Sequence, residues 1–111
     1  MRSASTFRIV FVTAPDLNQA RALADRLLRE RCVACANLVP GLESRYWWKG
    51  KLESAREILL ILKTTRAKLR QVESVIREIH PYDTPEILSI ESGEGSAKYL
   101  DWLSASVRGK P

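Results

Sequence analysis

Two cysteines, Cys32 and Cys35, are separated by two residues and are the first candidates for chemistry in this chain. Thiolates are soft ligands that suit Cu(I), so the pair is a candidate copper site. One such pair supplies only half of a four-ligand zinc site. A redox role has less support than copper binding, because the pair falls at the end of a predicted helix, where the helix dipole disfavours a thiolate. The alternative is that both cysteines are small buried hydrophobes, as free cysteines commonly are.

His80 is the single histidine of the chain, and it precedes Pro81 at the predicted end of a helix. Imidazole is a good ligand for copper and zinc, which makes His80 a candidate metal ligand. A histidine at a helix C-terminus is also stabilised there in its protonated form. Two roles therefore stay open for His80: a plain helix-capping residue or a weak metal ligand.

The remaining inventory argues against several other functions. With one histidine, no Ser/His/Asp arrangement and no glycine-rich phosphate loop, we expect no enzyme. The net charge of +5 is scattered, and the Lys49–Leu52 segment lacks the aromatics of an RNA-stacking motif, so we expect no nucleic-acid partner. The longest aliphatic run, Ile58–Leu62, is far too short to span a membrane. The first residues contain no apolar signal-peptide core, and the two cysteines are expected to be free thiols, so we expect the protein to be cytoplasmic.

The hydrophobic pattern predicts the order β-α-β-β-α-β followed by a C-terminal helix. Asp16 begins the first helix as its cap, Pro40-Gly41 predicts a bulge or an edge strand, and Lys49-Gly50 predicts a hairpin turn. This order is typical of the ferredoxin-like α+β fold, with helices on one face of a mostly antiparallel sheet. We expect one domain over residues 1–111, flexible at about 1–6 and 108–111. The predicted strands are 7–13, 33–39 with 46–48, 52–64 and 86–91, and the predicted helices are 16–31, 66–79 and one from Ser96.

The third strand predicts an oligomer. Ile58, Leu60 and Leu62 alternate with Leu59 and Ile61, so both faces of the strand are apolar. The helices cover one face, and the short chain has little left to cover the other, which points to a neighbouring subunit. Two charged residues, Glu57 and Lys63, share the second face with Leu59 and Ile61. A buried charge needs a partner, so we expect each to pair, with a cleft between subunits as one place.

Several segments taken together resemble the CutA divalent-ion tolerance family over residues 7–107. No single segment is specific, but the combination of the tryptophan-containing hairpin with the His-Pro-Tyr-Asp-Thr-Pro-Glu connector is. The segments are Thr13–Asp16, Cys35–Asn37, Tyr46–Lys51, Glu57–Thr64 and His80–Glu86.

The resemblance implies a homotrimer related to PII-type signalling proteins, with hairpins that pack between subunits. It also implies binding of copper or another divalent ion, which folding is not expected to require. Cys35 falls at a family cysteine position and His80 at the connector where family copper proposals centre; Cys32 matches no family position. The alternative is a PII-like small-ligand sensor or protein scaffold acting at inter-subunit clefts, with plain interface packing as the structural reading. The candidate cleft residues are Tyr46, Trp48, Glu57, Lys63, Tyr82 and Glu86.

Overall fold

The computed structural model describes residues 1–108 and contains a four-stranded antiparallel sheet. The strands lie in the order β3-β4-β2-β5, which together with the two crossover helices is the predicted ferredoxin-like α+β arrangement. The predicted flexibility of residues 109–111 lies outside the described residues. The elements are β1 (Arg2–Ser3), β2 (Phe7–Ala14), α1 (Leu17–Arg29), β3 (Cys35–Trp48), β4 (Lys51–Thr65), a 3-10 turn (Arg66–Lys68), α2 (Leu69–Ile79), β5 (Ile87–Glu91), β6 (Glu94–Gly95) and α3 (Ala97–Ser106).

Local sequence signals set the ends of the helices. The Asp16 carboxylate accepts a hydrogen bond from the Gln19 backbone N–H at 2.8 Å, which confirms the predicted cap of α1. Helix α1 ends at Arg29, and Arg31 then takes a left-handed conformation with φ of 58°. At the end of α2, His80 has extended backbone angles, as expected of the residue before a proline.

The main core lies between the sheet and the helices α1 and α2. Alternate residues of β2 and β4 point toward these helices and are almost completely buried, because the strand period of two places them on one face. At about 25 cal/mol per Å² of apolar surface, this burial is the largest favourable contribution to folding. The sheet residues of this core are Val10, Val12, Ala14, Ile58, Leu60 and Leu62.

The opposite face of the sheet carries apolar side chains that the chain itself does not bury. Leu88 is 61% exposed and Ile90 is 45% exposed, while Phe11, Leu59 and Ile61 are half-buried. We call these five residues the open face. Phe11 belongs to the central strand β2, so the single chain leaves part of this strand incompletely covered on the open face. A surface of this kind is typical of a protein–protein interface.

Helix α3 covers one end of the sheet on the same side as the open face. Leu100 and Leu103 of α3 pack with Phe7 and Ala4 in a second, smaller core. This end is held further by β1, which pairs antiparallel with β6 through Arg2 and Gly95. The short β1–β6 sheet was not predicted. It gives the first residues a defined position, while their flexibility stays a prediction.

The long β3–β4 hairpin contains one irregularity and one tight turn. The register shifts between Val39 and Leu42, where Gly41 has a φ of 82°, so the predicted bulge at Pro40-Gly41 is confirmed. The predicted turn is also confirmed: Lys49 and Gly50 both have positive φ, at 50° and 78°. Two successive positive φ values are characteristic of the type I′ turn that suits the twist of a two-residue hairpin.

Candidate functional site

A cleft of about 820 Å³ lies between the β3–β4 hairpin and the connector that follows α2. Its lining combines aromatic rings with carboxylates, and it includes Thr13 near the end of β2 and Glu57 in the middle of β4. Five of the six predicted cleft residues meet here within one subunit. The lining residues are Thr13, Ser44, Arg45, Tyr46, Trp47, Trp48, Glu57, Pro81, Tyr82, Asp83, Thr84, Pro85 and Glu86.

The bulge in β3 decides which side chains reach this cleft. Before the bulge, Val39 pairs with Leu59; after it, Leu42 pairs with Glu57, so β3 has gained one residue relative to β4. One extra residue exchanges the two faces of the strand. As a result, Tyr46 and Trp48 lie on the same face as Glu57, and without the bulge they would point to the other side of the hairpin.

The Glu57 carboxylate is the most deeply buried acidic group of the cleft. Only 6% of Glu57 is exposed, and the Tyr82 hydroxyl donates a hydrogen bond to Glu57 Oε2 at 2.9 Å. Among the ion pairs of residues 1–108, none involves Glu57. The carboxylate is therefore held by a neutral donor and keeps its charge uncompensated within the described chain. A charge in that position attracts a cation.

Two neighbouring groups respond to burial and to the charge of Glu57. Burial, followed by the hydrogen bond to Glu57, raises the pKa of Tyr82 to about 12, so its hydroxyl stays protonated and remains a donor. Burial also raises the pKa of Glu86, and the negative charge of Glu57 adds to this effect. Glu57 and Glu86 are thus close enough for their charges to repel, and a bound cation would relieve the repulsion.

His80 is buried at the base of the connector, and both of its ring nitrogens have partners. Its Nε2 lies 2.7 Å from the Thr13 carbonyl oxygen and donates to it, while Nδ1 accepts from the Tyr82 backbone N–H at 3.0 Å. The ring also packs against the Tyr82 ring, with centroids 4.8 Å apart. His80 therefore joins the connector to β2. A metal could bind to His80 only after one of these hydrogen bonds breaks.

The two cysteines lie on opposite sides of the sheet. Cys32 is fully buried in the main core, its thiol donates to the Leu27 carbonyl at 3.3 Å, and burial raises its pKa to about 11. Cys35 is half-buried and pairs with Lys63 of β4, which places it on the side of the open face. The Cys-x-x-Cys pair is therefore not arranged to hold one ion between its two thiols.

Lys63 lies away from the cleft. It is six residues from Glu57 on the same strand, a separation of about 20 Å at the rise of a β-strand. Its ammonium group donates to Asn37 Oδ1 near Cys35.

Cys35 and His80 also lie apart along β4. Cys35 pairs with Lys63, whereas His80 contacts Thr13, which pairs with Leu59. Lys63 and Leu59 are four residues apart on β4, which corresponds to about 13 Å along the strand. Among residues 1–108, no three His, Cys, Asp or Glu side chains form a group suited to a metal ion.

Several residues of the cleft were not predicted from the sequence. Thr13 lines the cleft, and its backbone carbonyl accepts a hydrogen bond from His80, a contact that leaves no trace in a sequence. Asp83 stands within the connector that the resemblance singled out, and its presence between Tyr82 and Glu86 could have indicated a place in the cleft. Arg45 lines the mouth, where its guanidinium donates to Glu43 at 3.1 Å, so its charge is already paired.

Comparison with known proteins identifies the family. The family model of the CutA1 divalent ion tolerance protein matches residues 8–106 of this chain. The chain belongs to the CutA1 family. The divalent-cation tolerance protein CutA of Escherichia coli O45:K1 is 43% identical over 106 residues, covering 96% of this chain and 95% of the relative. This agrees with the resemblance found in the sequence and assigns the chain to divalent-cation tolerance.

Solved CutA structures have the same fold. The divalent cation tolerance protein of Thermus thermophilus superimposes with a TM-score of 0.88 at 39% identity, covering 90% of this chain and 97% of the other. The protein described as the periplasmic divalent cation tolerance protein CutA of Archaeoglobus fulgidus gives a TM-score of 0.89 at 36% identity, covering 92% and 99%. Within residues 1–108 of the present chain, no helix is long and apolar enough to cross a membrane.

Proposed function

We propose that this CutA1 protein acts in divalent-cation tolerance as a cytoplasmic homotrimer that binds copper or another divalent ion weakly and releases it readily. Membership of the CutA1 family, over residues 8–106, is the observation that carries the proposal. The ion is cargo in this account, and no catalytic step is involved.

The open face supports the homotrimer. Leu88, Ile90 and their half-buried neighbours Phe11, Leu59 and Ile61 form one apolar surface on a chain of 111 residues. Burial of such a surface against a second copy would supply the apolar contact that the single chain lacks. A substitution that places a charge at its centre should therefore dissociate the assembly.

The positions of the candidate ligands support weak binding. His80 must give up a hydrogen bond to coordinate an ion, which subtracts from the affinity. Cys32 is fully buried and its raised pKa disfavours the thiolate that binds copper. Cys35 is the accessible soft ligand, and its position beside the open face lets a neighbouring subunit complete the coordination.

Native mass spectrometry with stepwise buffered copper tests the proposal. We expect a trimer that takes up discrete, saturable copper ions, and uptake should fall in Cys35→Ser and His80→Gln but persist in Cys32→Ala. In parallel, Ile61→Lys should yield monomers, whereas Ser74→Lys on the exposed surface of α2 should leave the trimer intact. A stable monomer in the wild type, or copper adducts that are graded and unaffected by Cys35→Ser, would contradict the proposal.

The cleft favours a second candidate function, a PII-like sensor or scaffold that binds a small molecule. The supporting observation is the meeting of Tyr46, Trp48, Glu57, Tyr82 and Glu86 around one cavity of about 820 Å³, which is within the size range of small-molecule sites. A non-metal ligand that raises the unfolding temperature of metal-free protein would support this candidate. Stabilisation by metal ions alone would favour the first.

A further inference from the structure

We propose that the cleft between the hairpin and the connector binds a small organic cation, with an alkylammonium or guanidinium group held between aromatic rings and the carboxylates of Glu57 and Glu86. This inference deepens the second candidate function and rests on it, because it names the class of ligand for the same cleft. It does not require copper binding at Cys35 or His80.

The buried carboxylate sets the charge of the ligand. Glu57 is 6% exposed, yet within residues 1–108 its only side-chain partner is the neutral Tyr82 hydroxyl, at 2.9 Å. Glu86 and Asp83 line the same cavity and add negative charge, while Arg45, the one basic lining residue within the described chain, pairs with Glu43. The cleft therefore presents an excess of negative charge, which selects cations and rejects anions.

The aromatic rings set the chemical type of the cation. Tyr46 and Trp48 stand on the same face of the hairpin as Glu57, and each is 42% exposed in the single chain. An exposed ring face attracts weakly hydrated cations such as alkylammonium and guanidinium groups. The Lys49 ammonium lies 5.8 Å from the centre of the Trp48 ring, a cation–ring contact that a bound ligand would share or replace.

The size of the site and its donors disfavour a metal ion. A cavity of about 820 Å³ holds a molecule with several non-hydrogen atoms, whereas a dehydrated metal ion needs ligands that close around it. The acidic residues of the cleft are not among any group of three metal-ligating side chains in residues 1–108. Aromatic walls with two carboxylates suit an organic cation, whose apolar part packs against the rings.

Titration calorimetry with a matched pair of probes tests this inference. Choline and 3,3-dimethylbutan-1-ol have nearly the same shape, but choline carries a positive charge and the alcohol is neutral. We expect saturable binding of choline to the metal-free wild type, at least about tenfold tighter than binding of the alcohol, since about 1.4 kcal/mol of charge interaction gives that ratio. Methylguanidinium chloride should bind as a second cation, and an equal concentration of sodium chloride should produce no saturable heat.

Isosteric variants locate the site. Glu57→Gln and Glu86→Gln should each weaken choline binding about tenfold, because each removes a charge without changing the shape of the wall. Glu73→Gln is the matched control: Glu73 is an exposed carboxylate on α2, remote from the cleft, and should leave binding unchanged. Circular dichroism and light scattering verify fold and assembly, and Glu86→Gln keeps the test available if Glu57→Gln fails to fold, because Glu86 is exposed and its substitution leaves the core untouched.

Three results would overturn the inference. Equal affinities for choline and the alcohol would show that the cleft does not read charge, although its role as a ligand site would survive. Choline binding that is unaffected by both Glu57→Gln and Glu86→Gln would place the cation elsewhere. A lack of saturable heat with every probe up to tens of millimolar would remove the cation site, whereas the small-ligand candidate function would still be decided by the unfolding-temperature test with other non-metal ligands.

Discussion

Replacing Tyr82 by Phe removes the one hydroxyl that holds the buried Glu57 carboxylate within the described chain. A hydrogen bond to a charged group contributes about 1.5–3 kcal/mol to stability when it is shielded from water. The bond is 2.9 Å long, but it borders an open cleft, so water replaces part of it in the variant. We therefore expect Tyr82→Phe to lower the free energy of unfolding by about 1 kcal/mol at neutral pH.

A double-mutant cycle isolates this bond from other effects of the substitutions. Urea unfolding of wild type, Tyr82→Phe, Glu57→Gln and the double variant, at one fixed chain concentration, gives the coupling energy between the two side chains. We expect a coupling of about 1 kcal/mol. Tyr46→Phe is a suitable control, because no hydrogen bond joins the Tyr46 hydroxyl to Glu57 among the described contacts.

The pH dependence gives an independent check. Tyr82 has a pKa of about 12 in the folded protein, against an ordinary value of 10.0. Below about pH 10 both the folded and the unfolded state retain the phenol proton, so the contribution is complete. Between about pH 10 and 12 only the unfolded state releases the proton, and stability falls with rising pH. Tyr82→Phe should lack this component; a coupling near zero with an unchanged alkaline slope would refute the reasoning.

Three further predictions concern the hairpin, a helix cap and a thiol. Trp48→Ala should weaken subunit association, because large aromatics often anchor interfaces; light scattering over a dilution series would show a lower mass, and an undissociable trimer would contradict it. Asp16→Ala should lower the free energy of unfolding in urea by about 1 kcal/mol, because the α1 cap is lost. Asp25→Ala should lower it less, because Asp25 is exposed within α1 and caps no helix. Cys32 should resist iodoacetamide at about pH 8 in the native protein and react after unfolding, as mass spectrometry of peptides would reveal.

The sequence was a good guide to features that depend on neighbouring residues. The cap at Asp16, the bulge at Pro40-Gly41 and the turn at Lys49-Gly50 are each set by the conformational preferences of one or two residues. The β1–β6 pairing was not predictable in this way. It joins Arg2 to Gly95 through two-residue strands without alternation, so nothing local distinguishes it from a loop.

The site was predictable as a set of residues and not as an arrangement. The resemblance brought Tyr46, Trp48, Tyr82 and Glu86 together, and the structure places them around one cleft. The alternation of side chains along β4 correctly predicted that Glu57 and Lys63 share one face. A face extends along the whole strand, however, so sharing it does not mean that the two residues are close together. The hydrogen bond from His80 to the Thr13 carbonyl was also hidden, since backbone acceptors carry no sequence signal.

Glu57 and His80 both lie close to the connector that follows α2, but they have different roles. His80 uses both nitrogens to fasten the connector to β2, so it fixes where Tyr82 stands. Tyr82 then donates its only hydroxyl proton to Glu57, whose charge stays uncompensated within the described chain. An apolar residue at position 57 would pack without the cost of burying that charge. The buried carboxylate therefore fits the cation site proposed above, and His80 keeps the cleft in shape by joining the connector to β2.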